Sequence, residues 1–153
     1  MKKVSTIDFS VMDHYYDQIT ELEGKEIEVG FFDEPHYSGL NMATLAAIHE
    51  NGWHNLPERN FMLSTAVHYR GGLYKNLAKL HSDILKRKPY TVALNKIGKD
   101  YADSIRFTID QGTFTNNRVS SEWASVKGFS DAMIHYGDLY SSAKFKIVAL
   151  TKD

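Results

Sequence analysis

Two stretches of the chain hold side chains whose types could do chemistry. The first is His49-Glu50-Asn51-Gly52-Trp53-His54. Two histidines flanking a glutamate suggest a zinc-dependent hydrolase, in which the imidazoles hold the metal and the carboxylate activates water. That chemistry needs histidines four apart on one helical face. Here they are five apart, and Gly52 is expected to end the helix before the second. The second stretch gathers Asp131, His135 and Asp138 near Ser141 and Ser142. A nucleophilic serine needs an imidazole within hydrogen-bond reach, and neither serine sits in a nucleophile-elbow pattern. A turn leading into a strand is the simpler expectation. No phosphate-cradling loop, dinucleotide fingerprint or EF-hand occurs. With no cysteine in the chain, disulfides, thiolate metal sites and cysteine nucleophiles are excluded. We expect no cofactor, no metal and no enzyme.

The elements that must position these residues follow from periodicity. Phe9, Met12, Tyr16, Ile19 and Leu22 predict a helix over 8–22, capped by Asp8 and stopped by Gly24. Ile27, Val29 and Phe31 alternate with Glu26, Glu28 and Gly30, so 25–32 reads as a half-buried strand. A short helix over 41–50 starts at Asn41 and stops at Gly52. After a loop at 51–60, the stripe Ala66, Tyr69, Leu73, Leu77, Leu80, Ile84 predicts a long helix over 61–87. Gly71-Gly72 marks an expected kink or close helix contact within it. A further helix over 90–111 turns Leu94, Ile97, Tyr101, Ile105 and Thr108 or Ile109 inward and ends at Gly112. Residues 113–131 read as irregular, and such loops are commonly functional or mobile. Gly137 and Asp138 form a turn that aims Leu139 inward. Phe145, Ile147 and Ala149 alternate in a final strand, expected to pair with the first. The fold class is therefore α+β: one domain over 1–153, a small antiparallel sheet packed by several helices, including a long central one.

The chain has 153 residues with 18 basic and 19 acidic side chains. The near-neutral net charge argues against broad nucleic-acid binding, and no sequence-specific nucleic acid is expected as a partner. A solvated face is the expected role of the basic residues in 75–88, which Asp83 interrupts. The charge is unevenly placed: residues 1–60 carry 4 basic and 11 acidic side chains, net −7, and the remainder is net +6. One reading is a polar subunit whose acidic end meets a neighbour's basic end. No apolar run reaches the ~20 residues of a membrane span. The opening residues are not expected to form a signal peptide, since Ser5, Asp8 and Asp13 interrupt Val4 to Tyr15. The expected compartment is the cytoplasm, with no membrane partner.

Three segments in order carry a further signal. They are the strand ending in Val29-Gly30, the run from Leu45 through Glu50 and Gly52 to Leu56-Pro-Glu-Arg-Asn-Phe-Met, and Ala132-Met-Ile-His-Tyr-Gly-Asp-Leu-Tyr-Ser-Ser-Ala. Together they resemble the tailed-bacteriophage neck and tail-completion proteins, the small virion-morphogenesis and minor tail proteins of the head–tail junction. The matching positions are Val29, Gly30, Glu50, Gly52, Pro57, Arg59, Phe61, Met133, Ile134, Gly137, Leu139 and Ser142. Asn60 stands where the family prefers proline, and Tyr136 where threonine is usual. The resemblance spans about residues 25–149.

It implies a structural protein of the virion neck or tail, assembled in the host cytoplasm. Copies of the chain would form a ring, six-fold by analogy with related connectors, around the DNA channel. The implied role is tail completion and head–tail joining, next to the tail-tube or terminator and head-closure proteins. A tail terminator that caps the tube is the alternative, and a small metal-dependent hydrolase is the rival of a different class. Contacts are expected from the loops at 33–41, 52–60 and 113–131. Glu50, Gly52, Trp53, Pro57, Arg59, Phe61, Trp123 and Tyr136 are the candidate interface residues. Gly30, Gly112 and Gly137 are the expected turn glycines. Arg59 has a planar donor fork suited either to a carboxylate across an interface or to a carbonyl within the chain.

Overall fold

The computed structural model describes residues 8–128, 130 and 137–150. In chain order these residues form α1 (Ser10–Glu23), β1 (Lys25–Gly30), α2 (Met42–Asn51), α3 (Phe61–Leu85), α4 (Tyr90–Gln111), α5 (Ser121–Lys127), α6 (Asp138–Ser142) and β2 (Lys144–Ala149). The class is α+β. β1 and β2 pair antiparallel, with Ile27 opposite Ile147 and Val29 opposite Phe145. This two-stranded sheet lies on α4, which also packs along α3.

α3 and α4 form the frame. Each is long because its apolar positions recur at helical spacing over many turns without an internal proline. At 25 residues, α3 is about 37 Å long. It holds a separate apolar cluster at each end. Near its N-terminus, Phe61 packs with Met42, Ala46, Ile105, Ile109, Leu139 and Ala143. Near its C-terminus, Leu80 and Ile84 pack with Tyr90, Leu94 and Ile97, under Tyr15, Ile19 and Leu22 of α1. Between them the hydroxyl oxygens of Thr65 and Thr108 lie 2.8 Å apart, in a buried polar contact joining the two helices.

Several expectations require correction. α1 begins at Ser10, and Asp8 is not its N-cap residue: that position is Phe9, while Asp8 Oδ1 accepts from the Ser10 amide at 2.9 Å. The inward face of α1 is Tyr15, Ile19 and Leu22. Phe9, Met12 and Tyr16 are 52–62% exposed. Ile19 and Leu22 thus face inward as expected, while docking on α3, where Tyr15 Oη meets His81 Nδ1 at 2.8 Å, turns Tyr15 inward in place of Tyr16. On α3 the buried residue of the second turn is Thr65, while Ala66 is exposed. α3 runs as one uninterrupted helix through Gly71-Gly72: a Cβ at 71 would meet nothing within 4 Å, and one at 72 would meet the Tyr69 ring of α3 itself, at 3.0 Å. The close approach instead occurs at Gly98 of α4, beneath the ring of Phe145. The stretch 113–131 contains α5, capped by Ser120, whose side chain accepts from the Trp123 amide.

Acidic α1 lies alongside the basic end of α3, where Arg87 Nη2 donates to Ser10 Oγ at 2.7 Å. Lys79 and Lys88 both pair with Asp83, and Lys96 with Asp100. Asp83, the one acid within 75–88, thus serves two of the five basic residues of that segment.

Candidate functional site

The connection from α2 to α3 holds most of the residues singled out in the sequence. α2 starts at Asn41, whose side chain accepts from the Thr44 amide at 2.7 Å. It stops at Gly52, with φ 77° and ψ 158°. This is the extended positive-φ region that only glycine occupies readily, not the left-handed helical well. A Cβ at 52 would also lie 2.9 Å from both Leu56 O and Glu58 N. The chain then makes a tight tip, closed by reciprocal amide–carbonyl bonds between Trp53 and Leu56 at 3.1 and 2.8 Å. It returns to α2, where the amides of Arg59 and Asn60 bond the carbonyls of His49 and Glu50.

Glu50 connects the two helices. Its carboxylate accepts from the amides of Met62 at 2.8 Å and Leu63 at 3.1 Å, the first turn of α3. Asn60, at the N-cap position of α3, is left-handed and makes no side-chain cap bond. Glu50 thus supplies from α2 the acceptor that α3 lacks locally. Phe61 follows with no exposed surface, its ring edge-on to Phe31 at 5.8 Å between centroids.

Arg59 turns inward and is 2% exposed. Its Nη1 lies 2.8 Å from His49 Nδ1. Burial, and then the Arg59 charge, push the His49 imidazole down from 6.5 to about 4. Burial also lowers Arg59 from its usual value. The pair is therefore a neutral imidazole accepting from a guanidinium, which leaves the His49 proton on Nε2.

Arg59 and His49 form part of the wall of a cavity of about 210 Å³. His36 and Tyr37 line it from the 33–41 loop, Leu56 from the tip, and Val119 and Trp123 from the 113–131 stretch. The three loops expected to carry contacts therefore converge on one place. Around it, Tyr37, Trp53, Trp123 and Leu56 are 73, 61, 46 and 42% exposed.

The sequence-predicted residues separate accordingly. Trp53, Pro57 and Trp123 offer surface. Arg59 and Phe61 are interior, and Glu50 is occupied with the amides of α3, so these three hold the loop rather than present it. Gly30, Gly112 and Gly137 all take positive φ, at 149, 60 and 75°. Leu139 is buried, as its position after Gly137 predicts. Tyr136, Met133, Ile134, Asp131 and His135 lie outside the described residues. Asp138 opens α6, 3.5 Å from His36 Nε2, and the hydroxyls of Ser141 and Ser142 donate back to its carbonyl. His49 and Glu50 point to different partners, and His54 stacks edge-on against Trp53. Among the described residues, no three His, Asp or Glu side chains converge as metal ligands, and no helix is long and apolar enough to cross a membrane.

Neither the sequence nor the periodicity reveals that His36 lines this cavity or that Glu50 caps α3, because both relationships join segments far apart in the chain. Comparison with protein-family models, with curated proteins and with solved structures found no match to this chain.

Proposed function

We propose that this chain is a structural protein of the tailed-phage head–tail junction. It completes the tail and mediates joining to the head, as a hexameric ring of its own copies around the DNA channel. It acts by assembly, not catalysis, and its neighbours in the virion are the tail-tube or terminator and head-closure proteins.

The observation that carries the assembly part of this reading is a pair of unlike apolar patches at opposite ends of α3. One is the rim of Tyr37, Trp53 and Leu56 near its N-terminus; the other is Phe9, Met12 and Tyr16 on α1, near its C-terminus. Exposed apolar clusters of this kind suit burial against protein. Two unlike patches suit a head-to-tail contact, which closes into a ring when the rotation allows. The order of the sequence motifs from Val29 to Ser142 supports the placement at the head–tail junction.

The test is electron microscopy of lysates from a phage lacking the gene. Filled heads beside separate tails of normal length support the proposal. Tails of uncontrolled length make the protein a terminator, and intact infectious particles overturn the reading.

A further inference from the structure

We propose that the cavity over Arg59 is a binding site for a single carboxylate group. Arg59 is almost wholly buried, yet among the described residues it forms no ion pair. Its one described side-chain bond goes to His49, which is held neutral and so brings no negative charge. Its Nε is buried without a hydrogen-bond partner. A buried guanidinium bonded only to a neutral imidazole is costly, and an added anion that meets its fork relieves that cost. The C-terminal carbonyls of α2 nearby soften the charge but do not replace a counter-ion.

The class of anion follows from the walls. The cavity offers one fixed positive charge, and Leu45, Leu56, Val119 and Leu139 make much of the rest apolar. A monoanionic carboxylate on a short aliphatic stem matches that combination. A phosphate dianion would need more donors than the fork supplies. It would also be repelled about twice as strongly as a monoanion by Asp138, whose carboxylate lines the same cavity near His36 at 3.5 Å. Two sources deliver the same chemistry: a free small carboxylate, or a glutamate or aspartate side chain of a second copy. Glu26 and Glu28, exposed on β1 without an ion pair among the described residues, show that the chain has such groups to offer.

The test follows the Arg59 Nε–Hε resonance of the full chain by NMR while sodium glutarate is added, with sodium chloride at matched ionic strength as control. A second series raises protein concentration without glutarate. A saturable shift with glutarate but not chloride supports the proposal and assigns a free carboxylate. A shift with protein concentration that Glu26→Gln with Glu28→Gln abolishes supports it and assigns a second copy. Arg59→Met, checked for folding by its amide spectrum, loses either response; should it not fold, the wild-type series alone decides. A flat response in both series overturns the proposal. So does an Asp138→Asn variant whose Arg59 resonance moves in the absence of added anion, since that makes Asp138 the internal counter-ion. These readouts need no virion, so their failure is separate from failure of the assembly reading.

Discussion

Gly98 of α4 lies directly beneath Phe145 of β2: a Cβ at 98 would fall 2.3 Å from the Cδ2 of that ring. The glycine is therefore what lets the sheet settle on the helix. Alanine would ordinarily strengthen a helix by about 1 kcal/mol over glycine. Here the ring would have to leave its place, an overpacking cost of about 1–3 kcal/mol. Gly98→Ala is expected to lower stability, and Gly98→Ala with Phe145→Leu to recover part of the loss. Urea unfolding of the three proteins checks this.

Glu50 is expected to be a stability residue. Glu50→Ala removes both acceptors from the first turn of α3 and should cost about 1–2 kcal/mol. Glu50→Gln keeps one neutral acceptor and should cost less. Equal loss in the two variants, measured by denaturant titration, would refute the capping role.

The His49–Arg59 pair predicts an acid-sensitive fold. In the unfolded chain His49 takes its proton near 6.5; in the fold it does so at about 4. Between those values the unfolded chain binds more protons, so stability is full above pH 6.5 and falls as the pH drops toward 4. The window is worth up to about 3 kcal/mol. His49→Gln should flatten the slope between these pH values, read as the melting temperature of both proteins against pH.

Legibility in the sequence followed the range of the interaction. The Asn41 cap, the Gly112 stop, the α4 stripe and the pairing of the two strands all rest on neighbours within a turn or on strict alternation, and all were readable. The face of α1 is legible only in its second half: Ile19 and Leu22 pack inward as expected, but Tyr15 takes the inward place expected of Tyr16, a choice that only the partner helix makes. The role of Gly98 is not legible either, since nothing local announces Phe145. At the candidate site, Gly52, Arg59 and Phe61 are legible as a group, but the burial of Arg59 and Phe61 is not. An arginine in a polar loop suits an interface carboxylate or a carbonyl of its own chain equally well, and only the fold-back of the loop shows that its partner is His49. α5 was hidden by its seven-residue length, too short to show a period.

The two apolar patches predict separable surface variants. Trp53→Ser and Tyr16→Ser remove exposed rings and should change stability by no more than about 0.5 kcal/mol. Each is nevertheless expected to fail to restore joined particles when supplied in trans to a phage lacking the gene. Full restoration by both variants, counted as infectious titre, would show that neither patch is a contact.

The tip from Trp53 to Leu56 is clamped at its base on both sides, by Gly52 and the Glu50 carboxylate before it and by the Arg59 and Asn60 amides after it. A loop held this way has already surrendered its chain entropy on folding. A partner that grips Trp53 meets a surface already in its bound shape, so docking costs little further ordering. The affinity of that contact should then vary little with temperature-driven loosening of the loop, and its tightening should come from slower release.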